Sequence, residues 1–502
     1  MSAATATPSA RPRAASLTGL RLILVATALV PVAALGVPSD IPMESRVLAS
    51  ILWVLCLAPA WHYLQLPERR RPPVPFLPLV GAVYLFYYPL HVVLGQSSVN
   101  YLFHLDPAFD YGRPVQYALV GWVALLIGYY GGAGLRLSSP FRHVRPTDLG
   151  TLRTWGKLLL WGGLLFDAAR QVMPIPMVLR GLLYFTSMFS LLGISLLTIL
   201  AVQKRLSPRE RWALYAGIVL TALLRAGAGL VSNVVILAIS VFLAVWAGGG
   251  RIGFRWLAIA ALSVAAMIGM RSVAMEYRAR SWFAETQLSL VERAMLMGQL
   301  LVSKVEAQGA SATVADGWTI IAGRSANLDL LADVVRQTGT TVPFWGGETY
   351  LSLVGFAVPR FIWPSKPTKT LGQDFGHRYG YLDSWDSWTS INLPFLVEFY
   401  ANFGEIGVLI GMTIVGLAYR LLDNDINRAG QPLQVTICNL VLLVPLLNIE
   451  SDFSLVFGGL FMNGVALWCL LVALSQLPRW RARRSWLATD PTTLGGMAGW
   501  PR

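Results

Sequence analysis

The chain has 502 residues, of which 55% are hydrophobic and 13% are charged, and its mean hydropathy is +0.56. Because soluble domains carry about 25% charged residues, this composition excludes an ordinary soluble protein and predicts an all-α, polytopic integral membrane protein. The net charge of +14 lies mainly in short loops between apolar segments, which is typical of a topology signal. No soluble reading module accompanies the basic residues, so no nucleic-acid partner is expected.

Residues 1–17 are rich in Ala, Ser, Thr, Pro and Arg, a composition that predicts a disordered cytoplasmic N-terminus. A membrane-crossing helix needs about 20 apolar residues. By this measure, residues 18–273 form a nine-helix transmembrane region, residues 391–477 form a three-helix transmembrane region, and residues 478–502 form a cytoplasmic tail. The twelve predicted spans are 19–37, 48–66, 75–94, 115–135, 154–172, 176–202, 211–229, 231–249, 255–273, 391–420, 432–449 and 454–477.

Basic residues in the short loops set the predicted orientation, since cytoplasmic loops carry an excess of Lys and Arg. With twelve spans, the basic loops 66–74, 136–153, 203–211 and 250–255 all fall on the side of the two termini, and the alternate loops are poor in basic residues. The pattern predicts a bacterial inner-membrane protein with both termini in the cytoplasm. The long loop 274–390 then faces the periplasm.

The loop 274–390 is the part of the chain that is predicted to carry the function, because loops held on a rigid scaffold often do so. It has eleven Asp or Glu residues and ten Lys or Arg residues. Helical spacing of apolar residues predicts helices over 289–302 and 328–335, and a short interfacial helix is predicted over 351–361. The abundance of Pro, Gly and Trp predicts irregular structure over 363–390.

Motifs for nucleotide and metal chemistry are absent from the sequence. It contains neither a Walker A motif nor a GxGxxG motif after a strand. The three cysteines lie inside apolar runs and the five histidines are scattered, so we expect no disulfide framework, no metal site and no cofactor. Asp423 and Asp425 have the Asp-x-Asp spacing of metal-dependent nucleotide-sugar enzymes, but no α/β domain surrounds them, and we interpret the match as chance.

Basic residues at the outer ends of spans and in the long loop are candidate ligands for an anion. A basic residue at membrane depth costs at least about 2–3 kcal/mol unless it faces a polar cavity or a partner. Arginine suits multi-oxygen anions because its planar fork matches phosphate and stays charged. Arg225 lies in an apolar, glycine-rich stretch, and snorkelling to the outer headgroups explains it equally well. The candidates in the long loop are Arg278, Arg280, Arg324, Arg360, Lys366 and Arg378.

Acidic residues and one histidine are candidates for acid–base chemistry. Glu398 and Asn402 are four residues apart in a predicted span, so they share one helix face. A carboxylate at that depth is a functional candidate, and a structural ion pair with a cavity arginine is the alternative. Glu348 follows a Trp-Gly-Gly turn, and His377 is the single histidine of the long loop.

Aromatic residues are concentrated in the same loop, and Trp345, Trp363 and Tyr379 are candidates for substrate contact. Two interpretations remain open. Trp and Tyr form belts at membrane–water interfaces, and aromatic rings also stack on the apolar C–H faces of sugars.

Four segments of the loop carry a resemblance to a known family: Asp333-Val-Val-Arg-Gln-Thr-Gly339, Val342-Pro-Phe-Trp-Gly-Gly-Glu-Thr-Tyr350, Pro359-Arg-Phe-Ile-Trp-Pro-Ser-Lys-Pro367 and Thr389-Ser-Ile-Asn392. With Arg324 and the segment Met275-Glu-Tyr-Arg278, they resemble the Wzy-type oligosaccharide repeat-unit polymerases of O-antigen and exopolysaccharide synthesis. The detailed resemblance covers residues 270–420.

This resemblance implies an architecture like that of the GT-C membrane glycosyltransferases. It implies block transfer of a growing glycan from undecaprenyl pyrophosphate onto a new lipid-linked repeat unit, without a metal. On this hypothesis Arg278, Arg324, Arg360, Lys366 and Arg378 bind the pyrophosphate, Arg225 lies below them, and Glu398 or His377 is the general base. The implied partners are the lipid-linked glycan, membrane lipid, a chain-length regulator and a flippase.

Three alternatives remain open. An O-antigen ligase would use the same donor with lipid A core as acceptor. A polysaccharide or lipid-linked oligosaccharide transporter would suit twelve spans, but transporters often show two similar halves with polar residues at mid-membrane, and this sequence shows neither. A membrane scaffold for an export complex would not need arginines at span depth.

Overall fold

The computed structural model describes residues 17–67, 70–95, 111–136, 139–172, 177–227, 231–250, 254–282, 288–325, 327–357, 363 and 370–489. Every regular element within these ranges is helical. The α-helices are α1 (Leu17–Leu35), α2 (Met43–Gln65), α3 (Phe76–Tyr87), α4 (Leu90–Val93), α5 (Gly112–Gly131), α6 (Leu149–Val172), α7 (Met177–Val202), α8 (Pro208–Gly227), α9 (Val231–Ala247), α10 (Phe254–Trp282), α11 (Leu290–Gln308), α12 (Ala310–Ser325), α13 (Asn327–Gln337), α14 (Ser352–Ala357), α15 (Leu371–Arg378), α16 (Phe395–Ile426), α17 (Leu433–Leu446) and α18 (Phe453–Thr489).

The helices have the lengths and the composition of a helical membrane protein. Among the described residues, five helical segments are long and apolar enough to cross a membrane: Thr18–Leu35, Met43–Gln65, Gly112–Gly134, Phe395–Ile426 and Phe453–Ser475. Shorter apolar helices occupy Phe76–Tyr87, Met188–Val202, Asn233–Ala247 and Leu433–Leu446. Each predicted span therefore has a helix at its position, and the number twelve stays a prediction.

The α16 helix is interrupted at Gly404, where φ is 61° and ψ is −143°. The break divides α16 into a short arm, residues 395–403, and a long arm, residues 405–426. A Cβ on Gly411 would collide with the Phe399 ring, although a straight helix would place residues 399 and 411 about 18 Å apart. The short arm therefore folds back against the long arm, whereas the sequence predicted an uninterrupted span over 391–420.

The neighbouring helix α5 gives the direction of both arms. Tyr117 donates a hydrogen bond to Glu405, and Gly416 packs against the backbone of Leu125, so the long arm runs parallel to α5. In the short arm, Leu396 packs at Gly121, and Tyr400 packs on Tyr117 with ring centroids 5.1 Å apart. The short arm therefore runs antiparallel to α5. It begins beside Gly121, about 13 Å along the α5 axis from Gly112.

Three of the five helices described in the long-loop region, α11, α13 and α14, lie where the sequence predicted helices. The helix predicted over 289–302 is α11, which extends to Gln308 and starts with a capping box between Ser289 and Glu292. The helix predicted over 328–335 is α13. The interfacial helix predicted over 351–361 is described only as α14, because residues 358–362 lie outside the described residues. The helix α12 was not predicted, and α10 continues to Trp282, beyond the predicted start of the loop.

The prediction of irregular structure over 363–390 is wrong for residues 371–378, which form α15. Leu371 and Phe375 are four residues apart and both are buried, and Tyr379 continues the same face. Gly372 and Gly376 let the following chain pack closely, because a Cβ at either position would collide with Ser390 or Leu382. Packing against neighbouring residues thus stabilises a helix that its glycine content alone disfavours.

Candidate active site

Two carboxylates on α13 are buried, and each has specific polar neighbours. Asp329 is 0% exposed, and its Oδ1 lies 3.0 Å from His91 Nε2, which is 2% exposed. The Tyr111 side chain lies beside the same carboxylate, and burial together with the Asp329 charge raises the pKa of Tyr111. A buried carboxylate is stable only when it is paired or hydrogen-bonded. Asp329 thus joins α13 to α4 and to the start of α5.

Asp333, one turn further along α13, is the second buried carboxylate, at 1% exposure. Its Oδ2 accepts hydrogen bonds of 2.7 Å from the Tyr381 hydroxyl and 2.7 Å from Gln337 Nε2, and its Oδ1 pairs with Arg336. Burial first, and the Asp333 charge second, raise the pKa of Tyr381. Asp333 therefore holds the loop after α15 onto α13.

An aromatic cluster fills the space between α13 and α15. The rings of Tyr379 and Tyr381 are stacked with centroids 6.0 Å apart, and Phe375 lies against both. The Tyr379 hydroxyl lies 2.8 Å from Thr338 Oγ1, and burial raises the pKa of Tyr379. Tyr379 was predicted to touch substrate, but the structure places it inside this aromatic cluster, where it is 4% exposed.

Arg378, at the end of α15, lies in a surface cluster with two other predicted site residues. Its guanidinium carbon is 4.1 Å from the Trp345 ring centroid, and its Nη1 is 3.4 Å from Glu348 Oε2. Its Nη2 also donates a 3.0 Å hydrogen bond to the Pro343 carbonyl. The Arg378 side chain is 26% exposed and the Glu348 side chain is 64% exposed. We call Trp345, Glu348 and Arg378 the surface cluster; it offers a fixed guanidinium and an accessible carboxylate side by side.

The segment that carries Trp345 and Glu348 is bonded to the bend of α16. The backbone N–H of Trp345 donates to the Ala401 carbonyl at 3.1 Å, and the backbone N–H of Gly347 donates to Asn402 Oδ1 at 2.8 Å. Asn402 Nδ2 in turn donates to Thr349 Oγ1 at 2.9 Å. The carbonyl groups at the end of a helix lack partners within it. The loop supplies such partners to the short arm, so the surface cluster is positioned by the broken helix.

Glu398 lies inside the protein, below the surface cluster, at 0% exposure. Its Oε2 accepts a 2.7 Å hydrogen bond from the backbone N–H of Phe453, the first residue of α18. Its own carbonyl accepts a hydrogen bond from Asn402 Nδ2. The predicted helix face shared by Glu398 and Asn402 is confirmed, and both residues connect elements of the site.

Apolar side chains adjoin the surface cluster at the bend. Phe344, whose carbonyl accepts from Arg378, is 46% exposed, and Phe403 is 50% exposed. A Cβ at Gly347, next to Glu348, would lie 3.3 Å from the Phe403 ring, so this ring adjoins the segment that carries Glu348. Charged and apolar surfaces therefore meet at this site, an arrangement that suits an amphiphilic ligand with an anionic headgroup.

The comparisons with known proteins identify one family. A family model described as a domain of unknown function, DUF8712, matches residues 158–429, more than half of the chain. The chain belongs to the DUF8712 family. No curated protein and no solved structure matches the sequence. The match extends from α6 through the long arm of α16, so the DUF8712 region includes Trp345, Glu348, Arg378 and Glu398.

Five other predicted site residues of this DUF8712 protein have described positions. His377 is exposed on the neighbouring face of α15, within electrostatic reach of Asp386. Trp363 is 39% exposed. Arg225 lies near the end of α8, where Nη1 donates to the Asn233 carbonyl at 3.4 Å. Arg278 and Arg280 lie on α10, and Arg280 pairs with Glu276.

The remaining predicted ligands are only partly placed. Arg324 lies on α12, and its side chain is outside the described part of the structure; Arg360 and Lys366 are outside the described residues altogether. The single basic cavity expected from the sequence is therefore still a prediction.

Sequence reasoning did not identify Asp329, Asp333 and Tyr381 as site residues of this DUF8712 chain. One signal was present, since Asp329 and Asp333 are four residues apart and share one face of a predicted helix. The sequence could not show that His91 and Tyr381 would reach them. Asp423 and Asp425 have structural partners: Asp423 accepts from Tyr129 and Asn427, and Asp425 lies 3.8 Å from Arg142.

Proposed function

We propose that this DUF8712 protein is a metal-independent membrane glycosyltransferase that polymerises lipid-pyrophosphate-linked oligosaccharide repeat units at the extracytoplasmic face of the membrane. The observation that carries the proposal is the surface cluster at the bend of α16. There the Arg378–Glu348 pair lies directly beside exposed Phe344 and Phe403. A lipid-linked pyrophosphate presents charge and hydrocarbon next to each other, which is what this surface accommodates.

The proposed roles follow from the geometry. Arginine binds pyrophosphate oxygens through its planar fork, so Arg378 stabilises the charge that develops on the leaving group. The acceptor hydroxyl needs a base within hydrogen-bond reach. Glu348 is exposed and held by Arg378, whereas Glu398 is buried, so we assign the base to Glu348. His377, exposed on the same helix as Arg378, is the second candidate for the base.

The reaction balances without a nucleotide or a metal. The bond between the anomeric carbon of the donor and the pyrophosphate oxygen breaks, and the leaving lipid pyrophosphate keeps the electron pair. The acceptor hydroxyl oxygen bonds to the anomeric carbon, and its proton passes to the Glu348 carboxylate.

The proposed topology is the predicted one. Twelve spans with cytoplasmic termini place the loop 274–390 and the bend of α16 outside the cytoplasm. The broken helix fits this location, because non-helical backbone at membrane depth is tolerated where protein or a water-filled cavity surrounds it. Since the short arm begins about 13 Å along α5, it reaches into the outer half of a membrane core about 30 Å thick.

The experiment is a transfer assay with the purified full chain in detergent, the lipid-pyrophosphate-linked repeat unit of the source organism, EDTA and no nucleotide. A ladder of glycans on the lipid carrier is expected. Glu348→Gln should lower the rate about 10²–10⁴-fold, and Arg378→Ala should lower it about 10²–10³-fold. Glu306→Gln and Arg209→Ala, which alter other exposed charges, are the matched controls.

Two results would reject the polymerase. One is the absence of a ladder from well-folded protein with its own substrate. The other is transfer to lipid A core in place of the repeat unit, which would identify a ligase. Movement of the intact lipid-linked glycan across proteoliposomes, without a change in glycan length, would identify a transporter.

A further inference from the structure

The loop that follows α15 presents two tryptophan side chains to the outside. Residues 383–388 repeat the triplet Asp-Ser-Trp. The side chains of Trp385 and Trp388 are 70% and 78% exposed, whereas Trp122 in the core is 0% exposed. Indole rings that are left this exposed on an ordered loop offer flat apolar surface for a ligand.

The loop is built to hold these rings in place. Asp386 Oδ1 accepts hydrogen bonds from the backbone N–H groups of Trp388 at 3.1 Å and Thr389 at 2.9 Å. Gln373 Nε2 donates to the Ser387 carbonyl, and the N–H of Ile391 donates to the Gly372 carbonyl at 3.0 Å. The hydrogen bonds from Thr389 lower the pKa of Asp386, so this carboxylate stays ionised at neutral pH. A ligand therefore meets a surface that is already ordered, which reduces the entropic cost of binding.

The chemistry of the loop favours a sugar over a lipid surface. Residues 379–393 contain Asp383 and Asp386 but no Lys or Arg. Segments that bind anionic membranes carry clustered basic residues, and this loop has the opposite charge. A sugar ring stacks its C–H face on indole, and its hydroxyl groups find acceptors and donors in Asp383, Ser384 and Ser387, which are exposed on the same loop.

The helix α15 places this loop next to the surface cluster. Gln373 and His377 share one helix face, and that face lies against the loop, where Gln373 contacts Ser387 and His377 is within electrostatic reach of Asp386. Arg378 leaves α15 in another direction, toward Trp345. The tryptophan loop and the Arg378–Glu348 pair therefore lie on two flanks of a helix about 10–12 Å wide, a distance that an oligosaccharide of a few sugars spans.

We propose that Trp385 and Trp388 form a glycan-binding subsite, which holds the oligosaccharide of the lipid-linked substrate while its pyrophosphate end lies at Arg378. The inference rests on the proposed function for the identity of the substrate. The subsite takes a neutral saccharide, since the carboxylates of Asp383 and Asp386 disfavour an acidic one.

The test is a binding measurement with two probes and the full chain in nanodiscs. The first probe is the oligosaccharide released by mild acid from the lipid-linked pool of the source organism, and the second is undecaprenyl pyrophosphate without sugar. The double variant Trp385→Ala/Trp388→Ala should lower affinity for the oligosaccharide at least about fivefold, as expected for the loss of two stacked rings. It should leave affinity for the sugar-free lipid unchanged. Trp212→Ala, which removes a 74% exposed indole on α8, is the control.

Other outcomes overturn the subsite. Equal affinity of wild type and double variant for the oligosaccharide would reject it. Quenching by brominated phospholipids that is present in wild type and lost in the double variant, while the double variant keeps its affinity for the oligosaccharide, would instead identify Trp385 and Trp388 as a membrane anchor. The binding measurement and the transfer assay test the subsite and the reaction separately. If glycan binding depends on the two tryptophans but no ladder forms in the transfer assay, the subsite stands and the polymerase is rejected.

Discussion

The Glu398 carboxylate, buried in the short arm of α16, accepts a 2.7 Å hydrogen bond from the first N–H group of α18, at Phe453. The first N–H groups of a helix have no partner within it, and a carboxylate at that end also interacts favourably with the helix dipole. Glu398 thus ties a short broken-helix segment to a long helix at a place where water is excluded. Substitutions of Glu398 can therefore distinguish a structural role from a catalytic role.

Glu398→Ala should destabilise the protein by about 1–3 kcal/mol, because the Phe453 N–H loses its acceptor in a buried position. Glu398→Gln keeps an acceptor oxygen and should retain most of the stability and the transfer activity. Thermal unfolding in detergent and the glycan ladder are the two measurements. Loss of the ladder in Glu398→Gln, with an unchanged Tm, would assign Glu398 to the chemistry and contradict our choice of Glu348.

Gly404→Ala should destabilise the bend of α16 by about 1–3 kcal/mol, because φ of 61° with ψ of −143° is a conformation that side-chain-bearing residues avoid. The readouts are the Tm and the transfer rate, since the surface cluster is bonded to this bend. Gly459→Ala is the matched control: a Cβ there meets nothing within 4 Å, and Ala favours the helix. Equal Tm values for the two variants would argue against a fold-back at Gly404.

Arg378→Lys should keep a positive charge near Trp345 but lose the planar fork that reaches Glu348 and the Pro343 carbonyl together. We expect a transfer rate between those of wild type and Arg378→Ala, with affinity for sugar-free undecaprenyl pyrophosphate reduced about tenfold or more. Steady-state kinetics and direct lipid binding separate the two effects. A fully active Arg378→Lys would indicate that charge alone matters at this position.

Asp333→Asn should loosen the segment after α15. One carboxylate oxygen accepts from the Tyr381 hydroxyl and Gln337 Nε2, and the other pairs with Arg336. An amide has a single oxygen, so one of these two sides loses its acceptor. The expected loss of stability is about 1–3 kcal/mol. Limited proteolysis within residues 379–390 should accelerate in Asp333→Asn, and less so in Tyr381→Phe, which removes one donor. Unchanged cleavage rates would show that the aromatic packing alone holds the segment.

The proposed twelve-span topology predicts that positions 387 and 209 are labelled from opposite sides of the membrane. In a Cys469→Ser background, a membrane-impermeant maleimide should label Ser387→Cys in cells with a permeabilised outer membrane. Arg209→Cys should react only after the inner membrane is opened, because its loop is predicted to be cytoplasmic. Labelling of both positions from the same side would refute the twelve-span arrangement.

Helix positions followed largely from the sequence, whereas their continuity did not. Each predicted span has a helix at its position, and the helical spacing of apolar residues located α11 and α13. Helical periodicity carries no information about a single glycine that reverses the chain, so α16 was predicted as one span. The Pro- and Gly-rich composition likewise predicted irregular structure where α15 forms, because this helix depends on the packing of Phe375.

The sequence by itself determined that this is a helical membrane protein. Segments that lie in lipid must be apolar and segments that lie in water must carry the charges, so this division can be read from the residue types alone. It also selected Trp345, Glu348, Arg378 and Glu398 as chemically notable. Only the tertiary structure decided that Arg378 and Glu348 meet at the surface beside the buried Trp345 ring, while Glu398 is fully buried. Those contacts join residues far apart in the chain, and they exist because the break at Gly404 turns the short arm back beneath the loop that carries the site.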